Sequence, residues 1–313
     1  MKIGVLTSGG DSPGMNSCIA NIVRMGADFG HTIYAFKGGY SGIYNKQYTK
    51  MEMSDINGLY KLGGTVIKSG RMPKLKDESI AKKLIDILVA LNIGALIVLG
   101  GDGTLRGANI LSKVSSNQVN IIGIPCTIDN NIYGSDYSIG HDTAINKLVA
   151  YIDDITDTGM SMNKRIFLVE TLGGLDGFFP WYPYQMGIVD FPLISEKPMS
   201  DDEVVEKINA IFASGVKDYV IITVAEYLYR TALISEYIEK KTGIQPKCNY
   251  IGYQQRGGSP TAADRIHAAE FAEYAIYAIN NNILNKYIAY KDGQYTYLDF
   301  LEANNKKRFD PGS

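Results

Sequence analysis

Short runs rich in apolar residues alternate with amphipathic helical patterns along most of this chain. The apolar runs lie at 3–7, 32–36, 95–99, 119–124, 165–170 and 219–224. Runs of this length, apolar almost throughout, are typical of strands buried on both faces of a parallel sheet. Apolar residues at helical spacing predict helices near 14–29, 77–91 and 261–281. This alternation predicts an α/β fold of mainly parallel sheets flanked by helices.

The end of the chain has a different pattern. Between 287 and 297, side chains alternate around Asp292-Gly293, a dipeptide that favours a tight turn. We predict a hairpin at the surface of the molecule.

Length and charge narrow the class of protein. A chain of 313 residues exceeds what a single hydrophobic core of roughly 250–300 residues supports, so we expect two lobes. Its 31 basic and 33 acidic residues form no block of like charge, so neither nucleic acid nor a membrane is an expected partner. The first residues enter a strand without a leader pattern, and no apolar run is long enough to span a bilayer. A cytoplasmic protein is expected.

Cysteine and histidine spacing gives little sign of a metal site. Cys18, Cys126 and Cys248 are odd in number and far apart, which favours free thiols in a reducing compartment. The three histidines have no metal-ligand spacing, so a zinc site built on histidine is not expected.

Three polar, mostly glycine-rich segments each follow one of the predicted strands. They are Gly9-Gly10-Asp11-Ser12-Pro13-Gly14, Gly100-Gly101-Asp102-Gly103-Thr104 and Pro125-Cys126-Thr127-Ile128-Asp129-Asn130-Asn131. In parallel α/β sheets, ligands bind beyond the carboxyl ends of the strands. Glycines there let backbone N–H groups approach phosphate oxygens. The segments together predict a site for a polyphosphate and its metal ion.

The first two segments also have ordinary explanations. The spacing of Gly9 to Gly14 is neither a Walker A motif nor GxGxxG, so alone it would indicate only a tight strand-to-helix turn. Asp102 is predicted to bind magnesium. Its alternative role is to cap the helix that begins near Thr104.

The third segment is the most specific. Asp129, with a hydroxyl and amides as neighbours, has the chemistry to accept a proton from a substrate hydroxyl. The alternative is an Asx turn, which Asp129, Asn130 and Asn131 before Gly134 would form without any catalytic role.

Charged residues near glycines extend the candidate site. Arg71 and Arg256 each lie beside glycines and are candidates for binding phosphate, since guanidinium groups bind phosphate in a bidentate manner. Glu226 follows the strand at 219–224 and is a candidate acceptor for sugar hydroxyls. Arg71 and Glu226 also have the ordinary interpretation of a solvated surface side chain.

Taken together, these motifs resemble those of the 6-phosphofructokinase family that uses ATP. The matching segments are GVLTSGGDSPGMN (4–16), GGT and SGRMP within 63–73, GGDGTLRGA (100–108), PCTIDNN (125–131), GSDYSIGHDTA (134–144), RIFLVETLGG (165–174) and IGYQQRGGSP (251–260). The resemblance covers nearly the whole chain. It implies a phosphofructokinase-like fold with a nucleotide-binding lobe at 1–140 plus 256–304 and a sugar-phosphate-binding lobe at 141–255. It also implies ATP and Mg²⁺ as cofactors and a homo-oligomer, a tetramer or a dimer.

The resemblance also assigns roles to individual residues. Those implied for nucleotide are Gly10, Arg71, Met72, Asp102, Gly103 and Thr104, with Asp102 as the metal ligand. Those implied for catalysis are Asp129 as base, Thr127 and Arg71. Those implied for sugar phosphate are Thr127, Asp129, Arg165 from a neighbouring subunit, Leu172, Gly173, Gly174, Glu226, Lys247, Tyr253 and Arg256.

Several positions depart from the family's pattern. Gly103 favours ATP over pyrophosphate as the donor, and Cys126 replaces the lysine typical of pyrophosphate users. Gly174 stands where an arginine near the transferred phosphoryl group is usual, and Asn131 replaces an aspartate. In the 6-phosphate pocket, Tyr253 and Lys247 replace the usual histidine and arginine.

The chain is therefore predicted to transfer a phosphoryl group from ATP to the 1-hydroxyl of fructose 6-phosphate. The departures leave two alternatives open. One is a catalytically weak regulatory paralogue that binds sugar phosphate or nucleotide, and the other is a kinase for another sugar or sugar phosphate.

Overall fold

The computed structural model describes residues 1–174, 176–228 and 230–305, together with residues 309 and 311. Its chain forms two compact units. The first consists of Met1–Thr143 with the described part of Arg256–Lys307, and the second of the described remainder of Ala144–Gln255 with residues 309 and 311. The predicted fold, two lobes that each contain a mainly parallel sheet flanked by helices, is confirmed. Which ligand each lobe binds stays a prediction.

The strands and helices follow the apolar pattern closely. The strands are β1 (Lys2–Ser8), β2 (Thr32–Phe36), β3 (Tyr48–Met51), β4 (Ile93–Gly100), β5 (Asn120–Pro125), β6 (Arg165–Thr171), β7 (Phe191–Leu193), β8 (Tyr219–Ala225), β9 (Lys247–Tyr250), β10 (Lys286–Lys291) and β11 (Gln294–Asp299). The helices are α1 (Met15–Asp28), α2 (Tyr40–Tyr44), α3 (Glu78–Ala90), α4 (Asp102–Ser115), α5 (His141–Met160), α6 (Phe178–Gln185), α7 (Asp201–Ser214), α8 (Thr231–Thr242) and α9 (Ala262–Asn280). In the described parts of the chain, none of the helices combines the length and apolarity needed to cross a membrane.

Within the described residues of the first unit, seven strands form one sheet in the order β11-β10-β5-β4-β1-β2-β3. β3 and β11 run antiparallel to their neighbours, and the other pairs are parallel. Alternate side chains of a strand point to opposite faces. Accordingly, Ile97 and Leu99 of β4 join one apolar cluster, and Leu96 and Val98 join the other. A sheet buried on both faces holds the carboxyl ends of β1, β4 and β5 in fixed positions.

Helices cover both faces of this sheet. Buried residues of α1 and α9 belong to the first apolar cluster, and those of α3 and α4 belong to the second. The start of α3 is set by Asp77, whose carboxylate accepts a hydrogen bond from the backbone N–H of Ser79 at 2.9 Å. Thr261 caps α9 in the same way.

The second unit has its own sheet and core. Across its described residues, four strands pair in the order β7-β8-β6-β9, and all the pairs are parallel. Leu168 and Ile222 on this sheet pack with Val204 of α7 and Ile234 of α8. In register, Thr171 lies opposite Ala225, so the segments that follow β6 and β8 leave the sheet side by side.

The predicted surface hairpin is only partly correct. β10 and β11 do form an antiparallel pair around Asp292-Gly293. However, β10 also pairs in parallel with β5, and Tyr287, Ile288 and Ala289 are fully buried. The hairpin therefore extends the main sheet. The prediction that it lies at the surface was wrong, because consecutive buried residues show that β10 is covered on both faces, as a central strand is.

Candidate active site

The carboxyl ends of β1, β4 and β5 bring the three predicted segments together. In register, Ser8 lies opposite Gly100, and Gly100 lies opposite Pro125. The backbone N–H of Cys126 donates to the carbonyl of Gly100 at 3.0 Å, and the Thr104 hydroxyl donates to the carbonyl of Ser8 at 2.8 Å. The three segments therefore form one edge, as their positions after parallel strands predicted.

Glycine is required where two of these segments touch. A Cβ on Gly100 would lie 2.3 Å from the Thr104 hydroxyl and 2.4 Å from the Ser8 carbonyl oxygen, so no other residue allows this approach. Beside it, a Cβ on Gly101 would lie 3.4 Å from the Thr127 Cβ. A Cβ on Gly103 would have no neighbour within 4 Å. The segment is thus packed at Gly100 and open at Gly103.

A fourth segment, 69–72, lies against the first. The carbonyl of Gly70 accepts hydrogen bonds from the Gly9 N–H at 3.2 Å and from the Ser8 hydroxyl at 2.9 Å, and the Ser69 hydroxyl donates to the carbonyl of Gly9 at 2.8 Å. These bonds place Arg71 beside the edge, with an exposed side chain that forms no ion pair with any described carboxylate. Met72, half-buried, packs on the second apolar cluster.

Arg256 belongs to the same edge. Its guanidinium donates to the carbonyl of Asp11 at 3.2 Å, and a Cβ on Gly10 would lie 2.6 Å from its Nη1 atom. The glycine at position 10 therefore makes room for the guanidinium. Arg256 places a positive charge next to the segment predicted to bind nucleotide, whereas the sequence connected it with the sugar phosphate.

Asp102 is the first residue of α4 and not its cap, which is Gly101. The capping alternative was therefore wrong. A carboxylate in the first turn interacts favourably with the helix dipole. Its Oδ2 atom lies 2.5 Å from Nη2 of Arg106, one turn further along α4. Sequence reasoning missed Arg106, although its i,i+4 spacing from an aspartate was visible.

Asp129 lies in a turn that Thr127 closes. The Asp129 N–H donates to the Thr127 hydroxyl at 3.3 Å. This bond closes a turn through the side chain of residue 127, and the alternative of an Asx turn formed by Asp129 stays a prediction. The Asp129 side chain is half-buried at the edge. Asn130 has a φ of 48°, a left-handed conformation that asparagine tolerates better than most residues.

The segment 138–141 holds this turn from the other side. The Ser138 hydroxyl donates to the carbonyl of Thr127 at 2.6 Å, and Nδ1 of His141 lies 2.7 Å from the carbonyl oxygen of Ile128. With Nδ1 protonated, His141 donates to that carbonyl. Two side chains, one just before α5 and one at its first residue, thus fix the backbone that immediately precedes the candidate base.

Asp264 of α9 anchors that segment in turn. Its side chain is fully buried and accepts hydrogen bonds from the Tyr137 hydroxyl at 2.7 Å, the Gly140 N–H at 2.6 Å and the Thr143 N–H at 2.8 Å. The Thr143 hydroxyl donates to it as well. Sequence reasoning missed Asp264 because an aspartate in the first turn of a helix is ordinary.

His267 extends the network from Asp264. Its ring stacks on Tyr137, with ring centres 3.8 Å apart, and its Nδ1 lies 2.6 Å from the Tyr295 hydroxyl oxygen. That hydroxyl donates to Glu270 at 2.8 Å. Burial lowers the pKa of His267 below its usual value near 6.5, while the nearby carboxylates of Glu270, Asp264 and Asp142 act in the opposite direction.

The low pKa of His267 predicts a stability that depends on pH. As the pH falls below 6.5, the unfolded chain takes up a proton that folded His267 resists, so the free energy of unfolding decreases. We expect His267→Gln to reduce the loss of stability between pH 7.5 and 5.5. Urea unfolding of both proteins at several pH values measures this, and identical pH dependences would contradict it.

Cys126 packs into the core rather than into the site. It is fully buried, belongs to the first apolar cluster, and its sulfur lies 3.3 Å from the Ser12 hydroxyl. Burial raises the pKa of this thiol to about 12, with the Ser12 hydrogen bond acting in the opposite direction. Cys248, by contrast, is half-buried.

This difference predicts selective alkylation. We expect iodoacetamide at pH 8 to modify Cys248 faster than Cys126 or Cys18 by on the order of a hundredfold, because burial blocks access and suppresses the thiolate. Mass spectrometry of timed samples measures the three rates. Labelling of Cys126 as fast as Cys248 would refute the buried position.

In the second unit, one group of predicted residues lies at the carboxyl edge of the sheet. Leu172, Gly173 and Gly174 follow β6, Glu226 follows β8, and Tyr253 comes after β9. The N–H of Leu172 donates to the side-chain oxygen of buried Gln255 at 2.7 Å, a contact that sequence reasoning missed. The Tyr253 side chain is 84% exposed.

Two other predicted residues lie at the opposite edge of the same sheet. Arg165 begins β6 and Lys247 begins β9, and in a parallel sheet these amino ends share one edge. Arg165 is half-buried and donates to the carbonyls of Asn163 and Lys164, whereas Lys247 is exposed. Within the second unit, therefore, the structure does not bring these two cations to Glu226.

Comparison with known proteins identifies the family. A family model described as phosphofructokinase matches residues 2–279. The chain belongs to the phosphofructokinase family. Its similarity to curated relatives spans nearly the full length. The chain is 39% identical over 303 residues to the ATP-dependent 6-phosphofructokinase of Spiroplasma citri, and the alignment covers 96% of this chain and 91% of that protein. The corresponding protein of Sulfurihydrogenibium sp. (strain YO3AOP1) is 38% identical over 315 residues, covering 98% and 95%.

Solved phosphofructokinase structures have the same fold. The crystal structure of Pichia pastoris phosphofructokinase in the T-state matches with a TM-score of 0.88 and 29% identity, covering 96% of this chain and 37% of that longer chain. A pyrophosphate-dependent phosphofructokinase from Marinobacter aquaeolei matches with a TM-score of 0.85 at 16% identity, covering 99% and 86%. This second likeness concerns the fold alone. The predicted family and fold class are confirmed.

One departure from the phosphofructokinase pattern has a structural explanation. Gly173 and Gly174 have φ values of 131° and 68°, a region that side chains with a Cβ rarely adopt. The backbone after β6 has therefore taken a glycine-specific conformation. An arginine at position 174 would be strained in it.

Proposed function

We propose that this protein is an ATP-dependent 6-phosphofructokinase, which transfers the γ-phosphoryl group of ATP to the 1-hydroxyl of fructose 6-phosphate and yields fructose 1,6-bisphosphate in glycolysis. The relatives that carry this name support the proposal. The structural observation that carries it is the close approach of Gly101 to the Thr127 side chain at the sheet edge, where a Cβ on Gly101 would lie 3.4 Å from the Thr127 Cβ. Asp102 directly follows Gly101, and Asp129 lies two residues after Thr127, so the two carboxylates are on neighbouring segments. The two alternatives considered from the sequence receive no support from the comparisons.

In this proposal, Asp129 is the catalytic base. Phosphoryl transfer is catalysed mainly by positioning and by neutralising charge, with a carboxylate to accept the proton of the attacking hydroxyl. Asp129 takes the proton of the sugar 1-hydroxyl, and Thr127 fixes the turn through its hydrogen bond to the Asp129 N–H. Arg71 and Arg256, on neighbouring segments, supply positive charge toward phosphate oxygens.

The nucleotide is assigned to the open part of the same edge. We assign Gly10, Arg71, Met72, Asp102, Gly103 and Thr104 to nucleotide binding. Gly103 has free space around it. A nucleotide requires such space, because it is larger than pyrophosphate. Cys126 points into the apolar core, so its side chain does not take the phosphate-binding role that a lysine has in pyrophosphate users.

Magnesium is consistent with the donor set. The described residues contain no group of three or more His, Cys, Asp or Glu side chains that would hold a metal ion alone. Mg²⁺ commonly binds through one or two carboxylates together with substrate phosphates and waters, and Asp102 offers one such carboxylate. When bound, the ion would neutralise phosphate charge.

The remaining residues are assigned to the sugar phosphate. They are Leu172, Gly173, Gly174, Glu226, Tyr253, Arg165 and Lys247, besides Thr127, Asp129 and Arg256. Because Arg165 and Lys247 lie at the sheet edge opposite Glu226, we propose that both serve the site of a neighbouring subunit. The proposal therefore includes a homo-oligomer, a tetramer or a dimer, located in the cytoplasm.

The test is a coupled assay of ADP release with ATP, Mg²⁺ and a panel of acceptors. We expect turnover with fructose 6-phosphate to exceed turnover with other sugars and sugar phosphates. A higher rate with another acceptor would show that this compound, and not fructose 6-phosphate, is the preferred substrate. Absence of turnover with every acceptor would refute a kinase function and favour a regulatory role.

A further inference from the structure

Arg106 is a charged residue that the proposed function leaves without a role. It lies on α4, one turn after Asp102, and its Nη2 atom is 2.5 Å from the Asp102 Oδ2 atom. The Arg106 side chain is 48% exposed, and that of Asp102 is 30% exposed. Exposed ion pairs of this spacing contribute little to stability. Stability therefore does not account for the pair.

The geometry of α4 directs Arg106 toward the candidate nucleotide site. Side chains on a helix lean toward its amino terminus, and the contact with Asp102 shows that this side chain does so. The guanidinium therefore extends over the first turn of α4. That turn includes Gly103, where there is space, and the start of a helix attracts anions.

The two groups of the ion pair have complementary preferences. A carboxylate is a good ligand for a hard divalent cation, and a guanidinium is a good bidentate ligand for phosphate. A metal-nucleotide complex would therefore offer the Asp102 carboxylate a metal ion and the Arg106 guanidinium a phosphate. Each is a better partner than the opposite member of the ion pair.

We propose that Arg106 is a nucleotide-binding residue, which neutralises Asp102 in the ligand-free protein and binds the phosphate chain of ATP in the complex. This inference rests on the proposed function, because it requires ATP to bind at the edge formed by β1, β4 and β5. It assigns Arg106 a direct contact with phosphate, in addition to a counter-ion role toward Asp102.

The test measures binding of metal-free ATP by calorimetry in EDTA. Under these conditions, the contact of Arg106 with phosphate is measured without a contribution from the metal ion or from turnover. Four proteins are compared: wild type, Arg106→Met, Asp102→Asn and the double variant. We expect Arg106→Met to weaken binding by on the order of tenfold both in wild type and in the Asp102→Asn background. Lys113→Met, which removes an exposed charge from the last turn of the same helix, should leave binding within about twofold of wild type.

The outcomes separate the inference from the proposed function. If Arg106→Met weakens ATP binding only when Asp102 is charged, Arg106 is merely a counter-ion and the inference is wrong. Equal affinities of wild type and Arg106→Met also overturn it, while ATP binding itself stands. If wild type does not bind ATP, with or without Mg²⁺, both the proposed function and the inference fail. Circular dichroism of each variant confirms that the fold is intact.

Discussion

Replacing Asp129 by asparagine lowers the turnover number with fructose 6-phosphate by on the order of 10²–10⁴-fold, the usual contribution of a positioned general base. The amide cannot accept the proton of the 1-hydroxyl, although it has nearly the same shape. The backbone of the turn is held by the side chains of Thr127 and His141, and the substitution leaves both in place. We therefore expect the fold and the KM for ATP to change little. Steady-state kinetics with both substrates varied measure the effect.

A matched control comes from an exposed carboxylate elsewhere on the chain. Asp157 lies on α5 with its side chain in solvent, and Asp157→Asn should retain turnover within about twofold. Turnover of Asp129→Asn close to that of this control would show that Asp129 is not the base.

Replacing Asp264 by alanine has the largest expected effect on stability. The substitution leaves buried donors of Tyr137, Gly140 and Thr143 without their acceptor. Since each unsatisfied buried group costs about 1–3 kcal/mol, we expect the free energy of unfolding to fall by about 3 kcal/mol or more. Urea unfolding monitored by circular dichroism measures it.

Asparagine at position 264 distinguishes hydrogen bonding from simple packing. Asp264→Asn keeps one acceptor oxygen and nearly the same volume, so its loss of stability should be smaller than that of Asp264→Ala. Both should reduce turnover as well, because Asp264 anchors the segment that holds the turn of Asp129. An alanine variant as stable as wild type would show that the network does not anchor this segment.

The fold was largely predictable because its strands are short apolar runs and its helices are amphipathic. The predicted strand at 95–99 is the core of β4 (Ile93–Gly100), and the predicted helix at 77–91 begins at the cap Asp77. The placement of the hairpin was not predictable in this way. Local alternation indicates a turn and two strands, but the pairing of β10 with β5 depends on contacts between residues far apart in the chain.

The candidate site was predictable where a strand leads directly into a polar segment, as at Gly100 to Thr104. The residues that support it were not. Asp264 and His267 act through α9, more than a hundred residues from the turn of Asp129. Arg106 had no predicted role, and the structure places its guanidinium against Asp102. The left-handed backbone at Gly174 likewise is a property of the folded loop and has no local signature beyond the glycine.

The most direct test of the central claim follows the phosphoryl group itself. Wild type and Asp129→Asn are incubated with fructose 6-phosphate, Mg²⁺ and ATP labelled in the γ-phosphate, and the position of the label in the product is determined. The account predicts that wild type places the label on the 1-oxygen of fructose 1,6-bisphosphate. The rate of label incorporation by the variant is expected to be lower by on the order of a hundredfold or more. Equal labelling by both proteins, or label on another acceptor position, would contradict it.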